Sequence, residues 1–422
     1  MLLLITLCVV MFVFNFRRHS SVGLLLFLIY IISLILGILI GFDYKIDTLF
    51  KGFNFCFLIV TLVMFILPWN LYRFKVIIID PNPVKLKRLS LVILFINAVF
   101  FLLFVLTIWY AFTNVVDYSS YKNSSDSADL GIQIPVNQTL YLFALYFFPT
   151  SYFLIPIHFY YLLKRSYLVS ILALILSLNI ILQGLTVFSR SGIIIYVFLY
   201  MFYLLFFYRR IEYRVRNVIK LTGIIVFFLI SVVFFQITSN RFSDYFSYGQ
   251  AMNSSSFIKN PEMYSLFDYA SQWYMNCNHV MSTYKFETLN GQLSFPLLFE
   301  VLKKAHLISY SSNEIEALLY NLWGENFDKF NGLVANLLFD FGYLGTFIVT
   351  ALYVYLVWIL RPVRNRLSFS KLLVLGGLFL LPAMGIFNSQ MKTIAYNALI
   401  IYSAIVYMYM VIRVDKRKVS SP

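Results

Sequence analysis

Apolar runs of about 20 residues recur along the whole chain, and they limit its fold more than any other feature. A helix rises 1.5 Å per residue, so each run matches a hydrocarbon core of roughly 30 Å. Backbone groups left unpaired in lipid are costly, which selects a bundle of helices. Read with their flanks, the runs fall near 1–16, 22–42, 52–72, 89–112, 139–163, 167–187, 192–208, 221–238, 338–360, 371–388 and 394–412. The first run lacks a basic leader, so it is not expected to be a cleaved signal peptide. Only 12% of the residues are charged and 61% are hydrophobic. The expected fold is an all-α polytopic membrane protein with about 11 transmembrane helices. Spans one to eight occupy 1–238, a large loop with short helices 239–337, and spans nine to eleven with a basic tail 338–422.

Orientation follows from the basic residues. The clusters Arg17–Arg18, Arg73–Arg88, Lys164–Arg165, Arg209–Lys220, Arg361–Lys371 and Arg413–Lys418 all fall on one side when the N-terminus is placed outside. The positive-inside rule then makes that side cytoplasmic. The net charge of +15 is read as this topology signal. No basic face on a soluble region suggests nucleic acid. Cys8, Cys56 and Cys277 are too few and too scattered for a disulfide framework or a metal site. The 113–138 loop, rich in Ser, Asn and Asp, reads as a surface loop.

The chemistry is expected at the opposite face. Counting about 20 residues from each basic cluster places Arg190, Arg241, Asp340 and Lys392 at similar depth near the outer interface. Snorkelling to headgroups is the plain alternative for each. Arg190 is the hardest to explain that way, because SRSG (189–192) is a four-residue hairpin between two apolar runs. A planar guanidinium there suits phosphate or carboxylate. In the long loop, Asp268, Gln272, Asn276 and His279 recur at helical spacing, with Tyr264, Trp273 and Tyr274 flanking them. That pattern fits a sugar groove, or equally an amphipathic helix with a solvated face. His158 and Asn97 within the spans read as interhelical hydrogen-bonding groups.

The stretch FNGLVANLLFDFGYLGTFIVTALYVYLVW (330–358), with Asn331, Asp340, Gly342 and Gly345, resembles the late-span motif of Wzy-type O-antigen or oligosaccharide repeat-unit polymerases. The SRSG hairpin is similar to that family's mid-chain arginine between close spans. The position expected to carry a histidine in the related O-antigen ligases holds Phe330 or Asn331. The resemblance implies a GT-C-like glycosyltransferase of the bacterial inner membrane, with its N-terminus periplasmic and C-terminus cytoplasmic. It implies transfer of a growing glycan between undecaprenyl-pyrophosphate-linked oligosaccharides at the periplasmic face, without a cofactor or metal. A chain-length regulator, a repeat-unit flippase and membrane lipid are the partners it implies.

On that reading Arg190, Arg241 and Lys392 would hold the pyrophosphate, whose charge grows as the glycosidic bond breaks. Asp340, Asp268 or His279 would serve as base to the acceptor hydroxyl. Gln272, Trp273, Asn276 and Asn331 would contact sugar. An O-antigen ligase, a transporter or flippase of a lipid-linked or anionic solute, and a non-catalytic scaffold are the alternatives.

Overall fold

The computed structural model describes residues 2–17, 20–41, 52–73, 75–114, 137–242, 255–309, 312–323 and 330–412. Within α10 most side chains from 226 onward are not described.

Helices α1 (Leu2–Arg17), α2 (Ser21–Leu39), α3 (Phe53–Ile66) and α4 (Pro83–Asn114) come first. Next are α5 (Gln138–Phe147), α6 (Leu154–Leu163), α7 (Tyr167–Ser177), α8 (Asn179–Leu185), α9 (Ser191–Phe207) and α10 (Tyr213–Phe242). The long loop supplies α11 (Pro261–Ser271), α12 (Trp273–Thr283), α13 (Pro296–Lys304) and α14 (Ser312–Trp323). The chain closes with α15 (Gly332–Ile359), α16 (Phe369–Ala383) and α17 (Ile394–Val411).

Among the described residues, eight helical segments are long and apolar enough to cross a membrane. They are Ser21–Leu39, Phe53–Leu71, Pro83–Asn114, Thr139–Leu163, Tyr167–Leu185, Ser191–Arg210, Gly332–Ile359 and Ile394–Val411. Two further expected spans are shorter helices, α1 at 16 residues and α16 at 15. The outward faces are apolar as well: Phe95, Trp109, Leu168 and Leu344 are 72–83% exposed. Water would not tolerate such a belt, but lipid tails do.

With hydrocarbon on the outside, close packing and internal hydrogen bonds hold the bundle together. The Trp69 indole donates to Tyr353 Oη (2.8 Å), whose hydroxyl donates to Leu378 O (3.1 Å), tying α3's extension to α15 and α16. Asn179 Nδ2 donates to Asn97 Oδ1 (3.1 Å) and Asn97 Nδ2 to Thr150 Oγ1 (2.9 Å), joining α8, α4 and the 148–153 turn. His158 Nδ1 lies 2.9 Å from Ser170 Oγ on the neighbouring α7. Both Asn97 and His158 are thus interhelical hydrogen-bonding groups.

Among the described residues, one two-stranded element departs from an all-α fold. Strand β1 (Ile77–Ile79) pairs in parallel with β2 (Arg366–Ser368), in the register Ile77 to Arg366. Both lie beside basic clusters, and Arg210 Nη1 donates to Ile78 O (3.0 Å). Ser20 forms an isolated bridge with Arg73, so α2 starts at this basic end of the bundle and runs away from it. Three residues per strand, from segments nearly 290 positions apart, leave no periodic signal to read in advance.

Helices α11 and α12 of the long loop pack into the bundle of spans. Phe257 N donates to Leu39 O at the far end of α2 (3.0 Å), and Asn54 Nδ2 at the start of α3 donates to Met281 O (3.1 Å). Between those anchors the α11–α12 junction drops into the bundle. Trp273 meets Tyr30 edge to face at 5.6 Å, roughly 13 Å along α2 from Leu39. The Trp273 indole also donates to Ser33 Oγ (2.7 Å). Trp273, Cys277, Val280 and Met281 therefore belong to the same core as the spans.

Candidate functional site

Two glycines let α8 and α9 approach closely enough to form the SRSG hairpin. A Cβ on Gly192 would overlap the Ile180 carbonyl oxygen, and one on Gly184 would lie 3.0 Å from Ser189 O. The turn is closed by Ser189 N donating to Gly184 O (2.8 Å) and by the Ser189 and Ser191 hydroxyls at 2.9 Å. Phe188 takes a left-handed backbone (φ 51°) with its ring fully buried. Arg190, first before α9, is therefore held by a backbone with little freedom. It is only 4% exposed.

The Arg190 guanidinium lies over the Tyr269 ring of α11, 4.4 Å from its centroid. Burial pushes the Arg190 pKa down from its ordinary value and Tyr269 opposes that, but a guanidinium keeps its charge in proteins. Tyr269 meets Phe330 edge to face at 4.4 Å and Phe387 at 5.5 Å, and those two rings meet at 5.6 Å. Four chain segments converge here: the SRSG hairpin, α11, the approach to α15, and the break between α16 and α17.

That break is built on the start of α15. Helix α16 stops after Pro382, so the expected run 371–388 ends early, at Ala383. The chain then turns back against α15 through Gly332 N to Phe387 O (2.9 Å) and Leu333 N to Gly385 O (2.9 Å). Gly332 sits at φ 76° with Trp273 and the Gly385 carbonyl 3.3 Å from any Cβ, so only glycine fits without strain. Asn388 Oδ1 accepts from Asn331 N (3.2 Å), and Asn336 Oδ1 accepts from Ser389 N (2.8 Å). The Asn331 side-chain oxygen is buried and accepts no hydrogen bond from the described residues.

The polar stripe of the long loop reaches the same place. The backbone at Gln272 stays helical, so the stripe survives the turn between α11 and α12. Asn276 Nδ2 donates to Gln272 Oε1 (3.2 Å) and to Phe330 O (3.1 Å). Asp268 adjoins Tyr269, is half-buried, and has its carboxyl pushed up to about 6 by burial. Gln272 and Asn276 thus reach Phe330, whose ring packs on Tyr269 beside Arg190, and Asn331 adjoins Phe330; Asp268 joins them only through helix α11. Lys392 is half-buried on the 390–392 turn of the same break.

Other expected residues are placed elsewhere. Trp273 is 1% exposed, with its indole N–H on Ser33, so it presents no open ring face to a sugar. His279 is on an exposed position of α12. Asp340 is 1% exposed and accepts Leu293 N at 3.0 Å, fixing the 289–294 turn, while Leu289 N donates to Phe339 O (2.9 Å). It lies about 12 Å along α15 from Gly332, just before the sharp bend at Gly342 (φ 63°, ψ −174°). The backbone of α10 reaches Arg241 and α10 packs against α11, but the Arg241 side chain lies outside those described.

Sequence reasoning missed Tyr269, Phe387, Asn336, Asn388 and Ser389. The one available signal was the run PAMGIFNS (382–389), whose Pro, Gly and Asn-Ser are poor material for a continuous span. No protein-family model matches the chain, and no curated protein or solved structure is similar to it.

Proposed function

We propose that the chain is a glycosyltransferase of the bacterial inner membrane that polymerises undecaprenyl-pyrophosphate-linked oligosaccharide repeat units at the periplasmic face. The observation that carries this reading is Arg190, buried on a rigid hairpin and set against Tyr269, with the amides of Gln272, Asn276 and Asn331 in the same linked neighbourhood. A fixed cation serves a leaving group that gains negative charge, and amides serve sugar hydroxyls. Lys392 and Arg241 are the further cations proposed for the pyrophosphate.

Among the three groups proposed as base, Asp268 is favoured by its surroundings. Burial pushes its carboxyl up to about 6, and it lies one helical turn from Gln272 on the helix that carries Tyr269. Asp340 holds the 289–294 turn through one carboxylate oxygen, and His279 is on an exposed position of α12. In the proposed step the acceptor hydroxyl loses its proton to Asp268 and forms the new glycosidic bond. The bond from the donor sugar to pyrophosphate breaks, and the lipid pyrophosphate leaves with that electron pair against Arg190.

Transport of a lipid-linked or anionic solute is a second reading, favoured by the interrupted helices at α16 and at Gly342. The length of lipid-linked glycan in a deletion host separates the readings. Persistent single repeats at the periplasmic face, extended to long chains on complementation, support polymerisation. Single repeats retained on the cytoplasmic side would sink it in favour of transport, and long lipid-linked chains not passed to a final acceptor would favour ligation.

A further inference from the structure

We propose that Tyr269 is a positioning residue for Arg190, its ring holding the guanidinium in the orientation that receives a pyrophosphate. This rests on the anion-binding reading of Arg190 and adds a residue that the sequence pattern does not single out. Three observations carry it. The guanidinium carbon stands 4.4 Å from the Tyr269 centroid, within the range where the ring quadrupole attracts a cation, and more so in a buried setting. The ring is itself fixed, with Phe330 at 4.4 Å and 84° and Phe387 at 5.5 Å. Those two partners come from the approach to α15 and from the α16–α17 break, which are joined by Gly332 N donating to Phe387 O and by Asn331 N donating to the Asn388 side chain.

The arrangement has a directional consequence. A ring engages the face of a guanidinium, whereas the N–H donors that grip phosphate oxygens point outward in its plane. Where the ring lies against that face, it orients the cation through its quadrupole rather than through an N–H donor. Asp268, the preceding residue on α11, lies about 100° around that helix from the ring.

The test uses the full-length protein in neutral-lipid nanodiscs, with inorganic pyrophosphate as the probe and calorimetry as the readout. Tyr269→Phe and Tyr269→Trp keep a ring and are expected to bind within about twofold of wild type. Tyr269→Leu and Tyr269→Met fill the space against Phe330 and Phe387 but lack the quadrupole, and are expected to bind about tenfold more weakly. A purely packing role for Tyr269 would lower the melting temperature of the Leu and Met variants in step with binding, so melting curves are recorded beside the calorimetry, and weaker binding that only tracks lost stability would overturn the positioning role. If Arg190→Ala abolishes binding while both Leu and Met variants bind like wild type, the positioning role is overturned and the Arg190 reading stands. Loss of binding in Tyr269→Phe as well would also overturn it, by assigning the effect to the hydroxyl. Failure of the wild-type protein to bind pyrophosphate would remove the Arg190 reading itself.

Discussion

Arg190 and Asp340 are both charged, both at least 96% buried, and both at the end of the bundle away from the basic clusters. Their surroundings differ in kind. One Asp340 carboxylate oxygen accepts a backbone N–H of the 289–294 turn, while the other accepts no hydrogen bond from the described residues. Arg190 faces an aromatic ring, in a neighbourhood assembled from four distant segments. Depth and burial therefore do not separate the two; what differs is the partner, a backbone turn for Asp340 and an aromatic ring for Arg190.

The widest separation between the two should come from paired substitutions. Arg190→Ala is expected to reduce chain extension by about 100-fold or more, the scale of a lost electrostatic stabiliser in a dry site. Its thermal stability should change little by comparison. Asp340→Ala should do the opposite. It leaves a buried N–H without its acceptor, costing about 1–3 kcal/mol, with activity falling only as folded protein falls. Melting curves beside specific activity decide it, and equal behaviour of the two variants would erase the contrast.

Hairpin rigidity gives the next effect. Gly192→Val pushes a side chain into the Ile180 backbone and is expected to lower both folded yield and activity sharply. Gly223→Val, where nothing lies within 4 Å of an added Cβ, is the matched control. A smaller effect concerns Asp268. Its pKa of about 6 when folded exceeds the ordinary carboxylate value, so the folded state holds its proton more tightly than the unfolded one. Stability favoured by that proton is fully present below about pH 4 and is lost as pH rises through 6. Asp268→Asn should thus raise the melting temperature at pH 8 and leave it nearly unchanged at pH 4. The wild-type rate should climb as pH passes 6 and the variant should be slow throughout. The smallest change is Ser33→Ala, which removes the Trp273 indole's acceptor and should cost about 1 kcal/mol with activity largely kept.

Much of the architecture was legible because lipid imposes a length. Runs of about 20 apolar residues became helices where nothing interrupted them, as in α2, α4 and α17. Pro382 hints at an interruption in the sequence, but where the helix ends was harder to read, since the residues after it are apolar enough to extend a hydropathy window to 388. The β1–β2 pair was invisible for a different reason, being three residues long on each side and wholly non-local. At the site, spacing alone grouped Asp268, Gln272 and Asn276 on one helical face. It could not show that Tyr269, one position along, faces Arg190. A contact across some 80 positions leaves no periodic trace. Depth counting put Asp340 near a membrane surface but is blind to the turn that its carboxylate holds.

The central claim is that Arg190 receives the pyrophosphate of a lipid-linked donor. The most direct measurement is the length distribution of lipid-linked glycan in a matching deletion host that expresses Arg190→Ala or Arg190→Lys at wild-type levels. The account predicts single repeats with Ala and strongly shortened chains with Lys, whose point charge cannot reproduce the planar fork. Full-length chains from both variants would contradict it.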